Sequence, residues 1–227
     1  MSTSTKKPSA SKIGLILSLV GYLIVAVILN LPQLKAIFPL YITTLLGFLL
    51  AWILAGIVVF IVVRGENRPL TSIGIKTITV KEMLLAILFG IILSLSVPVL
   101  TMIASQIIPN SQEGSISTVT DNVPVILLLL GVLTAGITEE ILYRGYSIER
   151  ITEITGNQWL AFFTSVIAFV LPHVIGWNLT HVIAVVIPLG FVLSGLYIWK
   201  RNLIFNMIVH ILIDLPLVFI ALASNQN

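Results

Sequence analysis

Long apolar runs separated by short polar stretches dominate this chain. A helix that crosses a membrane needs about 20 mainly apolar residues. Six runs fit, at roughly Ile13–Asn30, Phe38–Val63, Met83–Ile108, Val123–Tyr143, His181–Trp199 and Leu203–Ala223. A seventh run, Trp159–Leu171, covers only about 13 residues and predicts a buried or partly re-entrant helix. The pattern therefore predicts an all-α, polytopic bundle of about seven transmembrane helices.

Composition agrees with lipid as the solvent. Apolar residues make up 58% of the 227 residues and charged residues only 9%, against roughly 25% charged in an average soluble domain. The chain has no cysteine, which excludes disulfides and thiolate metal sites. The net charge of +3 is spread over loops, so no nucleic-acid partner is predicted and the lipid bilayer is the expected environment.

The basic residues predict the orientation, because cytoplasmic loops carry an excess of Lys and Arg. The first apolar run is longer than a signal-peptide core of roughly 7–15 residues, so we interpret it as a retained membrane helix. With the N-terminus inside, only Lys35 falls outside, and the loop Pro109–Asn122 carries Glu113 and Asp121 but no basic residue. The basic residues placed inside are Lys6, Lys7, Lys12, Arg64, Arg68, Lys76, Lys81, Arg144, Arg150, Lys200 and Arg201.

A few ionisable side chains fall within or at the ends of apolar segments, where a charge costs several kcal/mol and normally faces a cavity, pairs or does chemistry. These side chains are Glu139, Glu140, His173, His181, His210 and Asp214. We interpret His181, close to Trp177 at the predicted outer boundary, as interfacial. The other five are the candidate catalytic residues.

Glu139 and Glu140 are adjacent, so their side chains point about 100° apart on a helix. Arg144 lies four residues after Glu140 on the same face and can pair with it. Glu139 would then point elsewhere, and two nearby carboxylates favour a general base that works near neutral pH. The alternative is a simple ion pair between Glu140 and Arg144 at a helix end.

His210 and Asp214 are also four residues apart on one face. An aspartate beside an imidazole fixes its tautomer, and the pair could instead stabilise an oxyanion or clamp two helices together. With His173 they form a candidate water-activating site that needs no metal. Two histidines and a glutamate could also bind a metal ion, in which case Glu139, His173 and His210 would be the ligands.

Three ordered motifs resemble those of the CAAX protease and bacteriocin-processing (CPBP) family. Glu139 to Arg144 resembles E-E-x-x-x-R, Phe169 to His173 resembles F-x-x-x-H, and His210 to Asp214 resembles H-x-x-x-N/D. Gly190 and Gly195 precede the last motif. The resemblance covers roughly residues 74–227.

This resemblance implies an intramembrane, CAAX prenyl endopeptidase-like hydrolase that cuts a membrane-associated peptide or protein without a cofactor. Its members include eukaryotic prenyl endopeptidases and bacterial proteins linked to bacteriocin maturation, self-immunity and peptide signalling. By motif, either glutamate is the general base, with Glu139 favoured; His173 positions the water, and His210 with Asp214 forms the oxyanion site. Arg144 and Phe169 would support them.

We therefore predict a multi-pass protein of a bacterial plasma membrane, with a site that opens towards the cytoplasm. The expected organisation is a cytoplasmic tail (1–12), two generic helices with a cytoplasmic loop (13–73) and a protease domain (74–227). Two alternatives are a non-enzymatic scaffold or immunity protein and a proton-coupled transporter, although transporters show repeats that this sequence lacks. By the rise of a helix, Glu139 lies near the inner end of its predicted segment and His173 near the outer end of its own, so their depths disagree.

Overall fold

A computed structural model of the chain describes residues 11–108 and 123–224. Within these residues, seven helices are long and apolar enough to cross a membrane. They are α1 Lys12–Leu29, α2 Leu40–Gly65, α3 Val80–Ser105, α4 Val125–Thr155, α5 Gln158–Gly176, α6 Leu179–Lys200 and α7 Leu203–Ala223. A short helix, Pro32–Ile37, follows α1, and a 3₁₀ turn, Leu70–Ile73, follows α2. The described part of the chain has no strand, which confirms the all-α polytopic bundle.

Two sequence predictions fall on parts of the chain outside the described residues. They are all but the last two residues of the predicted tail, 1–12, and the whole predicted outer loop, Pro109–Asn122. The cytoplasmic N-terminus and the proposed division at residue 74 stay predictions.

The structure corrects the predicted ends of two helices. α4 does not end near Tyr143 but continues to Thr155, and its 31 residues place Glu139 about midway along it. α5 is not a short or re-entrant segment, because it has 19 residues from Gln158 to Gly176. The disagreement in depth between Glu139 and His173 followed from these two errors.

Polar side chains set where several helices begin. Thr79 and Glu82 form a reciprocal capping box at the start of α3. At the start of α7, the Asn202 side chain accepts hydrogen bonds from the amides of Ile204 and Phe205 at 3.1 and 3.4 Å. Because Asn202 sets the first residue of α7, it also sets the depth of His210 along that helix.

One end of the bundle, which we name the basic end, holds the start of α1. Successive helices run in opposite directions, so α2, α4 and α6 finish there and α3, α5 and α7 begin there. Eight basic residues lie at or near it: Lys12, Arg64, Arg68, Lys76, Lys81, Arg150, Lys200 and Arg201. Among the described residues, the other end, which we name the opposite end, carries only Lys35.

A buried ion pair closes the basic end. Glu66, which follows α2, contacts Arg150 of α4 at 2.7 Å and accepts a hydrogen bond of 2.7 Å from the Tyr146 hydroxyl. Arg150 also donates to the side chain and backbone oxygens of Ser72. The segment between α2 and α3 is therefore tied across the end of α4.

Further contacts extend this closure to α6 and α7. Glu149 accepts from Arg201 at 2.8 Å and from the Tyr197 hydroxyl at 2.9 Å. The amide of Leu203 donates to the carbonyl of Gly74 at 2.7 Å. In the described part of the chain, the basic end is thus a packed polar layer rather than an opening.

Candidate active site

The central candidate residues lie on an unusual stretch of α4. From Ala135 to Ile148 its backbone is π-helical, with hydrogen bonds that reach five residues back instead of four. Glu139 and Glu140 are inside this stretch, and both are buried. Such stretches occur frequently at functional sites, and here the stretch carries the whole Glu139 to Arg144 motif.

Glu140 is held by three neighbours. Its Oε1 accepts from Arg144 at 2.9 Å and lies 2.9 Å from Nδ1 of His210. Its Oε2 accepts from the side chain of Asn206 at 3.1 Å. The predicted pairing with Arg144 is therefore present, and Glu140 also joins α4 to α7.

Glu139 is placed differently from its neighbour. Its side chain is buried, and its Oε2 has no hydrogen-bond partner among the described residues. It lines a cavity inside the bundle, whereas Glu140 lies behind that surface. The two adjacent carboxylates thus point to different surroundings, as their spacing predicted.

His210 lies between two carboxylates. Its Nδ1 faces Glu140, and its Nε2 is 3.4 Å from Oδ2 of Asp214. The second contact is long for a hydrogen bond. The predicted pairing on one face of α7 is present, and Glu140 gives His210 a firmer partner than Asp214 does.

Phe169 and His173 complete the set from α5. His173 Nδ1 lies 2.7 Å from the carbonyl of Phe169, one turn earlier. The guanidinium of Arg144 lies 4.2 Å from the centre of the Phe169 ring, and the rings of Phe169 and His210 are 6.2 Å apart. Phe169 therefore packs against one side chain from each of the other two motifs, and against His173 of its own.

All seven helices contribute to the cavity, which measures about 730 Å³. Glu139, His173, His210 and Asp214 line it together with apolar side chains. The fifth candidate, Glu140, does not line the cavity but contacts His210, which does. The structure thus brings every predicted site residue into one region.

The cavity lies in the half of the bundle away from the basic end. Its lining reaches the start of α2 at Leu40, the end of α3 at Ser105 and the end of α7 at Ile220. Within the described residues, the cavity therefore reaches the end of the bundle opposite to the start of α1, whereas the sequence predicted a site that opens on the same side as the N-terminus.

Three residues near the site were not identified as part of it from the sequence. The Asn206 side chain donates a hydrogen bond to Glu140. Its position four residues before His210 could have indicated that the two side chains share a face of α7. His181, interpreted as interfacial, stacks on Trp177 and lines the cavity. Tyr22 lines it from α1, and a tyrosine in a generic apolar helix gave no signal.

The sequence also offered Glu139, His173 and His210 as possible metal ligands. Among the described residues, no group of three or more His, Asp and Glu side chains could hold a metal ion. Glu139, His173 and His210 therefore do not converge as such a group.

The fold and this site define a polytopic membrane protein with a glutamate–histidine centre buried inside its helix bundle. Residues 121–216 match the family model described as type II CAAX prenyl endopeptidase, Rce1-like. The matched segment contains all three motifs, and it confirms the family resemblance drawn from them.

A curated relative extends the likeness. The chain is 32% identical over 146 residues to UPF0177 protein YvdC of Lactococcus lactis, which is 61% of this chain and 53% of that protein. The chain thus spans about half the length of the curated relative that it matches. No solved structure matches it.

Proposed function

We propose that this protein is an intramembrane endopeptidase that hydrolyses a peptide bond in a membrane-associated peptide or protein. The observation that carries the proposal is the difference between the two adjacent glutamates. Glu140 is fully engaged by Arg144, His210 and Asn206, whereas Glu139 lines the cavity and its buried Oε2 has no hydrogen-bond partner among the described residues. A buried carboxylate with a free oxygen is suited to accept a proton from water.

In the proposed reaction, the oxygen of a water molecule attacks the carbonyl carbon of the substrate. Glu139 takes a proton from that water as the new C–O bond forms. His173 orients that water. Its Nδ1–H donates to the Phe169 carbonyl, which leaves Nε2 of the neutral ring as an acceptor. When the tetrahedral intermediate collapses, the C–N bond breaks and Glu139 returns the proton to the leaving amine.

His210 stabilises the oxyanion in this proposal. Glu140 anchors its Nδ1 and thereby fixes the ring. With Nδ1–H donating to the Glu140 carboxylate, the ring carries a second proton at Nε2 as the imidazolium, and this Nε2–H donates to the oxyanion in place of the long contact to Asp214. Arg144 and Asn206 act as positioning residues, since both hold Glu140 and contact no cavity surface.

The mechanism uses no metal ion, because protein groups supply the base and the oxyanion donor. The biological context that we propose is processing of a bacteriocin or peptide pheromone, or self-immunity, in a bacterial plasma membrane. This context follows the family resemblance.

The test is cleavage of a panel of membrane-tethered peptides by the purified protein, with and without a strong chelator. Glu139→Gln should lower the rate by about 10²–10⁴-fold, the usual contribution of a general base, and His210→Ala should also lose activity. Glu82→Gln is the matched control, because Glu82 lies at the start of α3 and does not line the cavity, and Gln also serves in a capping box. Chelator should leave the wild-type rate unchanged.

Other outcomes overturn specific parts of the proposal. Activity lost with chelator and restored by zinc would replace the glutamate mechanism with a metal site. If the wild type cleaved nothing while partner binding survived in Glu139→Gln, the protein would be a scaffold rather than an enzyme.

A further inference from the structure

The two ends of the bundle differ in access to the site. At the basic end, the segment between α2 and α3 is bonded to α4 through Glu66 and Arg150, and to α7 through the carbonyl of Gly74. At the opposite end, the cavity lining continues to the helix termini at Leu40 and Ser105. In the described part of the chain, the route from the site to a bundle end therefore leads to the opposite end.

The same two ends differ in charge. Eight of the described Lys and Arg residues lie at or near the basic end, and only Lys35 lies at the opposite end. Basic residues near the ends of membrane helices are strongly enriched on the cytoplasmic side. The closed end therefore fits the cytoplasm, and the end that the cavity reaches fits the outer side.

We propose that the site is reached from the extracytoplasmic side, and that its substrate is an outward-facing segment of a membrane-associated peptide. The substrate class rests on the proposed peptidase function; the direction of access does not. A translocation step must then precede hydrolysis, since it delivers the segment across the membrane. Both products, a new carboxylate and a new amine, form on the outer side.

A second cavity supports a path for such a segment. It measures about 750 Å³, lies beside the first and shares Tyr22, His173 and Trp177 with it. Its lining includes Asn30 and Lys35 between α1 and α2. An extended, largely apolar segment that enters at the opposite end would pass these surfaces before it reaches Glu139.

The absence of cysteine in this chain makes access directly measurable. Single cysteines would be introduced into the full chain at two cavity positions, Ser94→Cys and Thr101→Cys. Gln33→Cys marks the opposite end and Thr71→Cys the basic end, because both side chains are exposed. A membrane-impermeant maleimide is then applied to intact cells and to inverted membrane vesicles.

We expect the maleimide to label Ser94→Cys, Thr101→Cys and Gln33→Cys in intact cells, and Thr71→Cys only in inverted vesicles. Labelling of the cavity positions only in inverted vesicles, or from neither side, would overturn the proposal. So would labelling of Gln33→Cys from the cytoplasmic side. Thr101→Cys should label equally when combined with Glu139→Gln, because access does not require catalysis. Failure of the peptidase assay and failure of the access model are therefore distinguishable.

Discussion

Arg144 and Glu140 form an ion pair whose two side chains are fully buried. Removing one partner of such a pair leaves an uncompensated charge and typically costs about 3–5 kcal/mol. We therefore expect Arg144→Ala to lower the thermal unfolding midpoint of the detergent-solubilised protein substantially. Arg68→Ala is the control, because its pair with Glu153 is partly exposed and such pairs contribute about 0–1 kcal/mol. Equal shifts in the two variants would contradict a structural role for the buried pair.

Asn206 is predicted to act through Glu140 rather than on the substrate. Its side chain donates to Glu140 at 3.1 Å and to the Leu193 carbonyl at 2.7 Å. Asn206→Leu should lower kcat with little change in KM, because the loosened Glu140 no longer fixes His210. Asn206→Asp should be worse, since it replaces a donor with a second negative charge beside Glu140. An Asp variant as active as the wild type would refute this role, as would a change confined to KM.

At the scale of single residues, a fixed helical spacing was enough to predict two side-chain pairings. The pairings of Glu140 with Arg144 and of His210 with Asp214 follow from four-residue spacing, and both are present. The bond from Asn206 to Glu140 and the position of Tyr22 depend on how α7 and α1 are rotated against α4. No local pattern encodes that rotation, so Tyr22 was missed. The position of Asn206 four residues before His210 indicated a shared face of α7, but not its hydrogen bond to Glu140.

The close approach of α4 to the segment before α3 depends on Gly145. A methyl group at that position would lie 2.7 Å from the backbone carbonyl of Ile73 and 2.9 Å from the Leu203 side chain. Because a backbone atom cannot move aside easily, Gly145→Ala should destabilise the fold by about 1–3 kcal/mol. Gly195→Ala is the matched control, since nothing lies within 4 Å of its added methyl and alanine favours a helix by about 1 kcal/mol. Thermal unfolding of both variants measures the difference, and equal stability would contradict the close packing.

Glu66 makes the closure of the basic end dependent on pH. Burial acts to raise the pKa of Glu66, but hydrogen bonds from Arg150, the Ser11 amide and Tyr146, with the charge of Arg150, lower it overall. A lowered folded-state pKa contributes stability above the unfolded value of about 4.3, and that stability is lost as pH falls through the folded value. The stability gap between wild type and Glu66→Gln should therefore be constant near neutral pH and shrink below about pH 4. A gap that widens on acidification would contradict this assignment.

The ends of α4 show why the helix boundaries were harder to predict than the helix count. After Tyr143 the sequence becomes polar, which suggested that the membrane helix had ended. The structure continues the helix to Thr155 because Ser147 and Arg150 find partners inside the bundle, at Ser18 and Glu66. Polar residues that are satisfied by another helix are indistinguishable, in one sequence, from polar residues in a loop.

At the scale of the whole molecule, apolar run lengths were sufficient to predict seven helices. Run lengths could not show that α1 and α2, which the sequence presented as generic helices, contribute side chains to the cavity. Tyr22 and Phe48 line the cavity, and the hydroxyl of Ser18 accepts a hydrogen bond from Ser147 at 2.9 Å. These contacts join residues far apart in the chain, so only the folded structure reveals them.

The contacts of α1 and α2 predict that residues 74–227 do not form a stable protein alone. Without residues 1–73, Arg150 would be buried without Glu66, and Ser147 would lose Ser18; unpaired buried groups of this kind are costly. Expressed alone, residues 74–227 should be degraded or aggregate, whereas co-expression with residues 1–73 should restore a folded complex that copurifies. The measurement is the amount of detergent-extracted, monodisperse protein in each case, with the intact chain as reference. If the shorter piece alone matched the intact chain in yield and unfolding midpoint, the first two helices would be an independent addition to the site-bearing bundle.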